Sequence, residues 1–146
     1  MTGDYANDYQ DWLAQTARLI RERRWQALDA DHLADEVEDL GKTERRGIAS
    51  QLTRLLVHLL KWRFQPVRRS GSWRDSIADA RLQIQLASED SPSLRAYPAS
   101  QLDTCYTKAR RSAAQQTGLA PEVFPVACPF AIEAVLSDDW LPDAAD

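Results

Sequence analysis

Little in this chain is built to bend it, link it or pass it through a lipid bilayer. Only five of its 146 residues are glycine and seven are proline, and no long β-branched run occurs. That scarcity disfavours sheet and favours helix. The two cysteines, Cys105 and Cys128, are too few for a disulfide framework and read as ordinary reduced thiols. No apolar stretch approaches the roughly 20 residues that span a bilayer. The first residues, Met1-Thr2-Gly3-Asp4-Tyr5, are acidic and polar, where a signal peptide starts basic and turns apolar. A cytoplasmic location without membrane contact is therefore expected.

Catalytic patterns are missing too. No Gly-x-Ser-x-Gly occurs, no glycine-rich loop is available to cradle a phosphate, and neither cysteine has a histidine near it in sequence. No catalytic residue and no cofactor is assigned. Only two histidines are present. His32 lies one helical turn from Glu36, and these two are the residues with a metal-ligand spacing. Di-iron bundles place the carboxylate before the histidine and use two copies; here the order is reversed and single. A metal joining His32, Glu36 and His58 requires two helices folded antiparallel. A histidine at a helix boundary or core edge is the commoner arrangement, so no metal site is assigned.

What the chain does contain is helical periodicity. A first helix is expected from about Asp4 to Arg23, with Tyr5, Tyr9, Trp12, Thr16 and Ile20 inward, and Leu13 and Ala17 widening the stripe. A second begins near Asp29 or Asp31, either a good cap, with Leu33, Val37 and Leu40 inward and Asp31, Asp35 and Glu38 on another face. Gly41 stops or kinks it, and Thr43 caps a third helix reaching Trp62. That helix carries the clearest pattern: Ile48, Leu52, Leu55, Leu56, Leu59 and Leu60. Each buried Leu contributes roughly 1.5 to 3 kcal/mol. Pro66 ends it and pushes Gln65 out of helical geometry.

Ser72 is a good cap for a fourth helix, with Trp73, Ile77, Ala80, Ile84 and Ala87 on one stripe and Leu82 and Leu86 on a second. Pro98 suits the first turn of a fifth, carrying Leu102, Cys105, Tyr106, Ala109 and Ala113 and closed by Gly118. From Leu119 onward four prolines mark an extended arm with a turn or two of helix. Phe124, Phe130, Ile132, Val135, Leu136 and Trp140 pack it back. The expected fold is an all-α, up-down bundle of about four to five helices, one domain over 1–146, with a core of about 4–118 and a Pro-rich C-terminal arm, 119–146, packed on it.

Charge is uneven. Residues 41–81 hold ten basic and three acidic groups, a balance of +7; the whole chain is −4, so the flanks carry −11. Such asymmetry marks either a nucleic-acid surface or basic and acidic helices paired within one fold, and the acidic total favours pairing. The basic stretch 61–74 interleaves cations with two tryptophans, a combination suited to phosphate contact and stacking. Its candidate binding residues are His58, Trp62, Gln65, Arg69, Trp73 and Arg74. In the alternative, Trp62 and Trp73 close the core while the arginines pair with acids.

Several segments together resemble a known family. They are Glu36-Val37-Glu38-Asp39-Leu40-Gly41, Glu44-Arg45-Arg46, His58-Leu59-Leu60-Lys61-Trp62, Gln65-Pro66, Arg69 and Ser72-Trp73. They continue with Ser91-Pro92-Ser93-Leu94, Tyr106, Ala109-Arg110, Thr117-Gly118-Leu119, Phe124-Pro125 and Cys128-Pro129. In this order, from about Tyr5 to Leu141, the chain resembles the bacterial family known only as domain of unknown function 29. One departure is Pro98, where that family is expected to continue a helix. The resemblance implies a helical bacterial domain and supplies no catalytic residues. The expected function is a non-enzymatic interaction module that binds another protein or itself. The alternative is nucleic-acid or phosphate-ligand binding, with or without hydrolysis, through the basic loop 61–74.

Overall fold

The computed structural model describes residues 5–145. Asp4, the expected start of the first helix, lies outside them. Among the described residues five α-helices follow one another: α1 (Tyr9–Arg21), α2 (Ala30–Phe64), α3 (Gly71–Asp90), α4 (Tyr97–Thr117) and the short α5 (Ile132–Val135). Single 3-10 turns lie at Trp25–Ala27, Pro66–Arg68, Pro92–Leu94 and Pro121–Val123. No strand occurs among the described residues. The described residues are therefore all-α, as expected. The chain divides into two compact units, one ending at Thr43 and one starting at Glu44.

In the first unit α1 starts later than the periodicity suggests. Asp8 caps it, its side chain accepting from the Asp11 N–H at 3.0 Å. Trp12, Thr16 and Leu19 are the buried residues of α1; Ile20, expected inward, is exposed. Asp29 opens α2, accepting from the His32 N–H at 3.3 Å.

The largest departure from expectation is that α2 does not stop at Gly41. It runs unbroken for 35 residues, so Gly41 and Thr43 are helix interior. A mid-helix glycine costs about 1 kcal/mol relative to alanine, too little to end a helix that is hydrogen-bonded on both sides of it. Thr43, with the chain already helical before it, caps nothing. A second correction follows. Val37 is 60% and Leu40 73% exposed, so the stripe assigned to the core faces solvent.

In the second unit, the later part of α2, α3, α4 and the arm share one core. Ile48, Leu52, Leu55, Leu56, Leu59 and Leu60 are all buried, as their spacing requires. The helix ends at Phe64, directly before Gln65 and Pro66. Ser70, not Ser72, caps α3: its hydroxyl accepts from the Trp73 N–H at 3.3 Å. Ser72 fails because the Ser70 cap lets the helix begin at Gly71. Ile77, Ala80 and Ile84 are buried, whereas Leu82 and Leu86 are exposed; the core touches only one stripe of α3. Pro98 occupies the first turn of α4, and Gly118 ends it in the left-handed conformation, φ 74°, where a Cβ would be strained.

The arm is held by side chains that donate to its backbone. The Tyr106 hydroxyl donates to Pro125 O at 2.6 Å and Arg110 Nε to Phe124 O at 3.0 Å. Arg81 donates to three further carbonyls, those of Val135, Asp138 and Trp140. Near its end, the Ala145 N–H donates to Arg63 O at 3.0 Å. Phe124, Phe130 and Val135 fill the core beneath.

Candidate functional site

The end of α2 and the loop to α3 gather most of the candidate binding residues. Trp62 is buried because it continues the inward face of α2. The turn at Pro66–Arg68 then reverses the chain. Arg69 Nε donates to Trp62 O at 2.8 Å, and its guanidinium lies 4.8 Å from the Trp62 ring centre. Arg74, in the first turn of α3, lies 5.2 Å from the same ring. Lys61 sits 5.2 Å from the Trp73 ring and donates to Gln116 Oε1 at 2.8 Å. Trp62, Arg69 and Arg74 thus form one stack, and Lys61 and Trp73 a second.

His58 and Gln65 join neither stack. His58 Nδ1 donates to Arg54 O at 2.9 Å. Burial, then the cations Lys61 and Arg54, push its pKa down against the raising effect of that bond. His58 is therefore held neutral at the core edge. Gln65 is half-buried and closes α2 through its own N–H, which donates to Lys61 O at 2.9 Å.

None of the ion pairs among the described residues involves a cation of the 61–74 stretch. Pairing of these arginines with acids is therefore not what holds them: rings and carbonyls do. Two of their nitrogens, Arg63 Nε and Arg69 Nη2, are buried without a hydrogen-bond partner. Each cation–π contact contributes about 0.5 to 2 kcal/mol, so both tryptophans already serve as platforms for the protein's own cations.

His32 and Glu36 lie in the first unit, on the first turns of α2. The hydroxyls of Tyr5 and Tyr9 both donate to the Glu36 carboxylate, Tyr5 at 2.6 Å. Those bonds hold the Glu36 pKa below the usual carboxylate range and push Tyr5 up to about 12. His32 Nδ1 lies 2.5 Å from Asp29 Oδ2, which raises the imidazole pKa. The Tyr5 ring stacks on His32 at 4.2 Å. Both metal candidates are thus committed to protein partners. Their proposed union with His58 is corrected: His32 and His58 lie on one unbroken helix, which cannot fold back on itself. Among the described residues, no three of His, Cys, Asp and Glu gather to hold a metal ion.

Two features escape the sequence reading. One is the exposed pair Val37 and Leu40 with half-buried Leu33, a stripe whose spacing is the same whether it faces a core or solvent. The other is Arg81, buried among apolar residues of α3. Its signal was present: Arg81 lies four residues after Ile77 and three before Ile84, on their face.

The family model for the domain of unknown function DUF29 matches residues 5–141, nearly the whole chain. No curated protein and no solved structure matches it.

Proposed function

Since the chain belongs to the DUF29 family of domains of unknown function, we propose from its surface that it is a non-enzymatic protein-interaction module. The docking surface is the exposed face of α2 in the first unit, and the occupant is a basic amphipathic helix of a partner protein. One observation carries this reading: Val37 and Leu40, one turn apart, are exposed in a stretch that from Asp29 through Gly41 holds six carboxylates and no Lys or Arg. Half-buried Leu33 continues the stripe at i−4 from Val37. Apolar residues at this spacing take a helix laid alongside them. The flanking Asp35, Glu38 and Asp39 select a partner with Lys or Arg beside its own apolar stripe.

The test uses two labelled peptides of the same Leu and Lys composition, one amphipathic and one scrambled. The amphipathic peptide should bind the full chain more tightly than the scrambled one. The double variant Val37→Glu, Leu40→Glu should lose at least tenfold in affinity while keeping its thermal stability, because neither side chain is packed. Equal binding by the double variant sinks the reading. So does a dimer of the wild-type chain, seen by light scattering, that the same two substitutions dissociate: the occupant would then be a second copy.

A second reading, nucleic-acid or phosphate-ligand binding through 61–74, is favoured by the lack of ion pairs to those cations among the described residues. The tryptophan contacts weigh against base stacking, since cations lie over both rings. On this reading labelled RNA binds with a steep salt dependence, and Arg74→Ala weakens it. Binding that is absent at low salt, or unchanged in Arg74→Ala, removes it.

A further inference from the structure

In the second unit a cavity of about 460 Å³ lies between α3, the start of α4 and the arm, within the roughly 300 to 1,000 Å³ of small-molecule sites. Its lining includes Arg81 and Ile84 of α3, Arg95 before α4, and Leu136, Ser137 and Asp138 of the arm. Arg81 is only 4% exposed, and its three hydrogen-bond acceptors are neutral carbonyls, at 2.9, 3.2 and 2.7 Å. A guanidinium has five N–H groups. Those bonds use one on Nε and one on each terminal nitrogen, leaving one more on each terminal nitrogen.

Arg95 is exposed on the same cavity, and neither arginine belongs to an ion pair among the described residues. Asp138 is the only acidic group of the lining among the described residues; its charge and that of Asp139 favour the Arg81 cation without forming an ion pair with it. What the site offers a ligand is therefore the guanidinium N–H groups that protein acceptors leave over. Ile84 and Leu136 supply apolar wall.

We propose that this cavity binds a small organic carboxylate, the acid group on Arg81 and Arg95 and the apolar body against Ile84 and Leu136. A carboxylate matches the planar fork of arginine and accepts from its free N–H groups. The ligand does not depend on what docks on α2.

Calorimetric titration of the full chain with benzoate tests it. Benzoate should bind saturably, one per chain. Acetate, which lacks the apolar body, and benzyl alcohol, which lacks the charge, should each bind at least tenfold more weakly. Arg95→Gln should weaken benzoate binding about tenfold, as loss of one charged hydrogen-bond partner does. Ser137→Trp, at an exposed position of the lining, should fill the cavity and abolish it. Both variants keep Arg81, so circular dichroism should show wild-type folding. Absence of saturable benzoate binding, or wild-type affinity in either variant, overturns the proposal.

Discussion

Arg81→Met should lower stability by about 2 to 4 kcal/mol and loosen the C-terminal arm. The change removes three hydrogen bonds from one guanidinium to the carbonyls of Val135, Asp138 and Trp140. Hydrogen bonds to a charged group contribute about 1.5 to 3 kcal/mol each. They do not add fully here, because water re-solvates a freed carbonyl of the exposed Asp138. Methionine also relieves the desolvation of a buried cation, which offsets part of the loss. For a chain of this size, each kcal/mol corresponds to a melting shift of roughly 2 to 4 °C, so the midpoint should fall by about 10 °C. Limited proteolysis should then cut within 119–145 faster than in the wild type. Arg81→Lys should not rescue it, since one ammonium cannot span three carbonyls as a planar fork does. A lysine variant as stable as the wild type would show that the cation, and not its geometry, holds the arm.

Leu56→Ala should cost about 2 to 5 kcal/mol, the range for a leucine truncated in a closed core. Leu56 is fully buried where α2, α3, α4 and the arm meet. No solvent is at hand to fill the void, and the surrounding helices collapse into it only partly. The matched control is Leu82→Ala. Leu82 is 47% exposed, so its truncation should stay within about 0.5 kcal/mol. Both leucines sit in helical apolar patterns. Urea unfolding separates them: the Leu56 variant should shift its midpoint strongly with an unchanged slope, and the Leu82 variant hardly at all. Equal losses would mean that the outer stripe of α3 is packed in solution.

That pair shows how far sequence reaches. Helix content is legible because every apolar run here recurs near 3.6 residues and few glycines interrupt it. The leucine face from Ile48 to Leu60 is legible too, because six apolar side chains on one side of a helix leave that side no place but a core. The ends at Phe64 and Gly118 are local chemistry: a proline that cannot continue a helix and a glycine that accepts φ 74°.

The candidate site is less legible. Sequence placed Trp62, Arg69, Trp73 and Arg74 in one basic stretch, but their contacts depend on how the Pro66 turn brings α3 back to the end of α2. Only then do two arginines lie over one indole. Periodicity likewise states that Val37 and Leu40 share a face, and is silent on what that face meets.

Local chain chemistry by itself determined an all-α fold, its strongest core helix and most helix ends, since these need only neighbours within a few residues. The passage of α2 through Gly41 is local as well, since the helix hydrogen bonding on both sides of it outweighs one glycine. Tertiary structure alone decided two things. Leu33, Val37 and Leu40 form a surface stripe, because burial depends on which elements cover a face. Spacing puts Arg81 on the inward face of α3, but what it anchors is a tertiary matter, because its acceptors are backbone carbonyls more than fifty residues away.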